Sequence, residues 1–138
     1  MKIKNGRRRI GFTLVEIMIV VSILIMIASI AIPSFMRARQ RTQASWTLDA
    51  ARMLDSAIDQ WAIENSLDNG VDVNASLTDL ANFFRSDSKL QAALIAGTAP
   101  TDALGNDFVF GVTGPDQLLI NPATKTALGS VVVDWAGY

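Results

Sequence analysis

From Ile17 to Met36 the chain runs twenty residues without a charge. As a helix, that length crosses a hydrocarbon core about 30 Å thick. Glu16 stands immediately before it. An ionised side chain at the head of a membrane span costs a few kcal/mol unless a cation meets it, and such residues are usually functional. No glycine or proline then occurs between Ala38 and Asn65, so the helix has nothing to end it after the span. Trp46, Ala50, Met53, Leu54, Ala57, Ile58 and Trp61 recur at helical spacing, with Asp49, Arg52, Asp55 and Asp59 on the other side. The spacing predicts one helix from about Phe12 to Glu64, roughly 80 Å long at 1.5 Å per residue. Its second half has an apolar face that the C-terminal part of the same chain must cover. Pro33 lies inside the helix, where it removes a backbone bond and is expected to bend or loosen the turn before it.

The segment Gly11-Phe12-Thr13-Leu14-Val15-Glu16, with a short basic leader before it and an apolar helix after it, resembles the prepilin signature shared by type IV pilins and the pseudopilins of type II secretion. The resemblance implies that a prepilin peptidase cuts between Gly11 and Phe12 and that the new amine of Phe12 is N-methylated. It implies that the carboxylate of Glu16 pairs with the N-terminal amine of a neighbouring subunit during assembly. It further implies a homo-oligomeric filament, contacts with other (pseudo)pilins and an assembly platform, and a proline kink at Pro33. The family often has a glycine eight residues before that proline, where this chain has Ile25. Read this way, residues 1–11 are a leader peptide and 12–36 a transmembrane and filament-core helix. Residues 37–64 are its amphipathic continuation, and 65–138 an extracytoplasmic globular part.

Charge orients the span. Lys2, Lys4, Arg7, Arg8 and Arg9 precede it without an acid, while Arg37, Arg39 and Arg41 follow it. Five against three favours a cytoplasmic N-terminus, an inner-membrane single-pass chain and a C-terminal part in the periplasm or in a filament. The three arginines suit headgroup contact, since long basic side chains snorkel to the interface; pairing with acids of adjacent subunits is the rival. A general secretory signal is the main alternative for the N-terminus, because Ser29-Ile30-Ala31 has small residues at the spacing for cleavage before Ile32. The length of the apolar stretch and the acid at its start oppose it.

From Thr42 onward twelve acids face four bases, which argues against nucleic acid as a partner. No cysteine is present, so no disulfide closes a C-terminal loop as in many type IV pilins. That favours the pseudopilin branch or a disulfide-free pilin. Asn69-Gly70 reads as a turn. Ser76-Leu77-Thr78-Asp79 resembles a capping box opening a short helix through Phe84. Ser88 opens a second, Lys89 to Ala96, closed by Gly97. Phe108–Val112, Gln117–Ile120 and Val131–Val133 are β-prone, separated by turn chemistry at Thr113–Asp116 and Asn121-Pro122. The expected class is α+β: a long N-terminal helix with a small antiparallel sheet of three strands on its second half, the pilin fold.

Catalysis has little to work with. With no His and no Cys, the imidazole base, the thiol nucleophile and the usual zinc sites are excluded. Ser86, Ser88 and Lys89 read as a helix cap. Major pseudopilins hold calcium in a C-terminal loop, and Asp102-Ala103-Leu104-Gly105-Asn106 resembles an Asp-x-x-Gly-Asn turn of theirs. Asp116, Asn121 and Asp134 could add oxygens, and calcium wants six to eight. A plain turn is the stronger reading, so no metal or other cofactor is expected. Trp46 and Trp61 are expected in the core. The function expected is a structural filament subunit, not an enzyme; the rivals are an uncleaved, membrane-anchored binding module and a small enzyme released before Ile32.

Overall fold

The computed structural model describes residues 11–84, 88–129, 134–135 and 137–138. Most of the leader, Ser86 and the β-prone run Val131–Val133 lie outside the described residues. By internal packing the chain divides into two units, residues 1–36 and 37–138. A single helix, α1 (Leu14–Glu64), contributes to both.

In the first unit, every described residue from Leu14 is helical, and nearly all are exposed. The two hydroxyls in this stretch turn inward on the helix: Ser22 Oγ donates to Met18 O and Ser29 Oγ to Met26 O, each at 2.7 Å. Such back-bonding leaves no side-chain donor seeking water along an apolar helix. The helix continues through Pro33. A proline has no N–H, so the carbonyl four residues back, that of Ser29, loses its helical partner.

In the second unit, α1 buries one face. Thr47, Ala51, Leu54 and Ile58 are fully covered, at spacings of four, three and four residues that keep them on one stripe. Trp61 extends the stripe, at 5 % exposure. Two residues expected there are not in it: Trp46 is 42 % and Met53 59 % exposed. The covered stripe is centred on Thr47 and Leu54, and their sequence neighbours Trp46 and Met53 lie about 100° around the helix from it.

Over this stripe lies α2 (Leu77–Leu80), flanked by 3₁₀ turns at Asn74–Ser76 and Ala81–Phe83. The expected capping box does not form, because Ser76 makes no side-chain cap bond and the chain enters α2 directly from the preceding turn. Helix α3 (Lys89–Ile95) begins as expected, with Ser88 Oγ accepting from Gln91 N at 3.1 Å. It ends at Gly97, whose φ of +68° suits a left-handed residue after a helix.

The sheet has two short antiparallel strands among the described residues, β1 (Val109–Phe110) and β2 (Leu118–Leu119), with Val109 opposite Leu119 and Phe110 opposite Leu118. Phe110 and Leu118 point into one apolar cluster with Leu54, Ile58, Leu80 and Leu94. The architecture is therefore α+β, a long helix with a small antiparallel sheet, as expected. Gly111 follows β1; its N–H donates to Gln117 O at 3.0 Å and its carbonyl accepts from Val73 N at 3.1 Å. A Cβ there would meet Asp116 O at 2.4 Å, so the position admits only glycine. Asn121-Pro122, expected as a turn, instead opens a helix, α4 (Pro122–Leu128). Asn121 Oδ1 accepts from Ala123 N at 3.0 Å and Pro122 takes the first helical position, where a missing N–H costs nothing.

Candidate functional site

The residues singled out for processing lie just before α1, and Glu16, singled out for assembly, lies in its first turn. Gly11, Phe12 and Thr13 precede the helix in non-helical backbone. Thr13 is its cap: Thr13 Oγ1 accepts from Glu16 N at 3.2 Å, and Thr13 O accepts from Ile17 N at 3.3 Å. Thr13-Leu14-Val15-Glu16 thus has the Thr-x-x-Glu order of a capping box, a signal present in the sequence and passed over there. Glu16 sits in the first turn of α1, where the exposed N–H groups and the helix dipole favour a negative charge. The helix start therefore explains why an acid is tolerated at this place. It does not supply a full counter-charge: Glu16 forms no ion pair among the described residues.

Directly after it come Ile17, Met18, Ile19, Val20 and Val21, each about half exposed or more. Phe12 itself is 77 % exposed. A carboxylate and an exposed aromatic thus stand at the head of a helix whose apolar surface the described residues leave uncovered. The helix is long and apolar enough to cross a membrane.

The acidic turn considered for calcium is differently made. Asp102 is 5 % exposed. Its Oδ1 accepts from Leu104 N at 2.8 Å and Asn106 N at 3.0 Å, while Oδ2 accepts from the hydroxyl of Thr124 on α4. Asn106 Nδ2 donates to Thr124 Oγ1 at 2.8 Å, and Ala103 N donates to Thr47 Oγ1 at 3.4 Å. Gly105 takes φ of +86° to close the turn. Both carboxylate oxygens are thus spent on N–H and O–H donors, and no three acidic side chains gather among the described residues. Calcium, which takes six to eight oxygens from several sides, would have to compete with these donors for Asp102. The turn fastens α4 and α1 to the loop before β1.

A second polar junction was not legible in the sequence. Gln117, 7 % exposed, donates from Nε2 to Asp55 Oδ1 at 2.7 Å and to Asp59 Oδ1 at 2.9 Å. Tyr138 OH donates to Asp55 Oδ2 at 3.2 Å. Partial burial, and then the neighbouring Asp55 carboxylate, raise the Tyr138 phenol above its ordinary 10.0. The i, i+4 spacing of the two acids was visible; the amide that joins them comes from residues far along the chain.

A family model described as the prokaryotic N-terminal methylation motif matches residues 6–32. The chain is 33 % identical over 63 residues to a type II secretion system core protein G of Pectobacterium carotovorum subsp. carotovorum, covering 46 % of this chain and 40 % of that protein. It is 31 % identical over 64 residues to the core protein G of Vibrio cholerae, covering 46 % and 44 %, and 35 % identical over 60 residues to that of Dickeya chrysanthemi, covering 44 % and 39 %. The matched region spans about two fifths of the length of these relatives. No solved structure matches the chain. The acid, the cap and most of the uncharged stretch of α1 fall within the matched residues, and the chain is one with a prepilin-type N-terminal methylation segment, similar in part to type II secretion core protein G.

Proposed function

We propose that the chain is a structural subunit of a type II secretion pseudopilus. Prepilin peptidase cuts it between Gly11 and Phe12, the Phe12 amine is methylated, and the product waits in the inner membrane with its N-terminus cytoplasmic. On assembly α1 exchanges lipid for the α1 helices of other copies, so apolar neighbours replace the bilayer as its solvent. Glu16 then lies in a water-poor environment and takes as its cation the Phe12 amine of a neighbouring copy. Charge-assisted hydrogen bonds gain strength as the local dielectric falls. That pairing sets the axial step between copies. Pro33, which cannot donate to the Ser29 carbonyl, is the place where the helix loosens to fit its neighbours.

The observation that carries this reading is the placement of Glu16 at the capped start of a helix that its own chain leaves bare, without a cation among the described residues. The relatives' printed role in type II secretion favours the secretion pseudopilus over a surface pilus. No chemistry is assigned to the chain, and no metal or other cofactor enters the reading. The test is Glu16→Ala in cells that carry the secretion apparatus. The variant is expected to be processed to begin at Phe12 and to give under a tenth of the normal filament yield, a loss of about 1.4 kcal/mol or more. Normal filaments from the variant, or native protein that begins elsewhere than Phe12, would refute the proposal.

A further inference from the structure

The second unit has a groove of about 730 Å³ between α1, α3 and the turn before β1, bounded by Thr42, Trp46, Lys89, Leu90, Ala93 and Asp107 among others. Its wall includes a tryptophan left 42 % exposed, whereas Trp61 on the same helix is 5 % exposed. Exposed tryptophans in a concave, partly apolar setting are the side chains that dominate contact energy in interfaces. The rim carries opposite charges, Lys89 on α3 and Asp107 before β1, both exposed and neither in an ion pair among the described residues. An occupant with an acid toward one side and a base toward the other would match this rim.

The geometry points to a second copy of this chain as the occupant, through the exposed strip of its α1 that bears Asp49 and Arg52. These two form an ion pair at 3.4 Å with side chains 57 % and 59 % exposed, so they offer both signs within one helical turn. At about 100° per residue, Asp49 lies about 60° and Arg52 about 120° around α1 from Trp46. Neither Asp49 nor Arg52 lines the groove, so a contact that does not close as a two-fold pair leaves a free groove at one end and a free strip at the other, and propagates. Asp49 of the entering copy meets Lys89, Arg52 meets Asp107, and Trp46 covers the aliphatic stem of the arginine. The contact belongs to the filament proposed above and rests on that reading for the alignment of neighbouring α1 helices.

A photo-reactive benzoyl-phenylalanine placed at Trp46 of the full-length chain, in cells assembling the filament, tests this directly. Irradiation is expected to yield a self-adduct of twice the subunit mass, mapping by mass spectrometry to residues 45–56 of the second copy. The same probe at buried Trp61 is expected to give none. Lys89→Asp and Asp49→Lys are each expected to lower the adduct about fivefold, the equivalent of ~1 kcal/mol, and the pair together to restore it. Absence of the self-adduct, or capture of lipid or another protein in its place, overturns the groove contact whether or not filaments form. Filaments counted by electron microscopy in the same cells report separately on the assembly reading.

Discussion

Glu16 occupies a helical position where its main-chain N–H is taken by Thr13 Oγ1 and its charge lies in the field of the helix start. Cap and charge can be separated by substitution. Thr13→Ala removes the cap acceptor, which costs about 1 kcal/mol of local helix stability, but leaves the carboxylate. Glu16→Gln keeps the shape and the capping order but removes the charge. If assembly depends on the ion pair, Thr13→Ala leaves filament yield within about twofold, whereas Glu16→Gln behaves as Glu16→Ala does. Loss of filaments with Thr13→Ala and normal yield with Glu16→Gln would assign the residue to helix capping alone. Tyr138 offers a second test at this scale, since it is the chain's one tyrosine and its phenol is raised above 10.0 by partial burial and by Asp55. A phenol held protonated in the folded state contributes stability that is complete below pH 10.0 and is lost as pH rises through the higher folded value. Ultraviolet titration of the detergent-solubilised chain is expected to show tyrosinate forming later in folded than in denaturant-unfolded protein. Asp55→Asn should narrow that gap. Coincident titrations would mean that the Tyr138–Asp55 bond does not hold in solution.

The elements of the second unit meet at two places that admit little change. Gly111 is one: it bonds Gln117 on one side and Val73 on the other, and a Cβ would press on Asp116 O at 2.4 Å. Gly111→Ala is expected to destabilise this unit by about 1–3 kcal/mol, the range for forced overpacking; thermal unfolding of the full chain in detergent reads it. Asp102 is the other, with both oxygens engaged and Thr124 of α4 on one of them. Because those oxygens are already occupied, calcium or a chelator is expected to leave the unfolding temperature unchanged, and a calcium-dependent rise would contradict the turn as described. These junctions mark what sequence could and could not yield. The long helix, α3 with its Ser88 cap and Gly97 stop, and the turn between β1 and β2 were legible because each depends on neighbours within a few residues. The Asp102–Thr124 and Gln117–Asp55 joints span 22 and 62 positions and leave no local pattern. Asn121-Pro122 misled because the same dipeptide serves a turn and a helix start. Trp46 misled because helical spacing defines a stripe about 100° wide without fixing where its edge lies.

At the scale of the whole molecule, the chain joins a helix segment that its own residues leave bare to a unit with its own core, and the two have different requirements of their surroundings. The core of the second unit closes on itself: Leu54, Ile58, Leu80, Leu94 and Ile120 are at most 1 % exposed. The first unit contains no such closure, since Leu24, Ile25, Ile27 and Ile30 stay well exposed and an apolar surface of that extent needs lipid or protein around it. In the proposed reading, removal of the leader leaves this requirement intact, takes away Lys2, Lys4, Arg7, Arg8 and Arg9, and creates a positively charged amine on Phe12. Blocking the cut therefore separates membrane residence from assembly. Gly11→Trp is expected to leave the full-length chain in the membrane fraction at normal abundance, unprocessed and without filaments, because no amine exists at Phe12 to meet Glu16 of another copy. The second unit should unfold at the same temperature in this variant as in the parent, its core being independent of the first turn of α1. Filaments built from uncut Gly11→Trp chains would show that the counter-charge to Glu16 comes from elsewhere, and Arg7, Arg8 or Arg9 of the retained leader would be the groups to replace next.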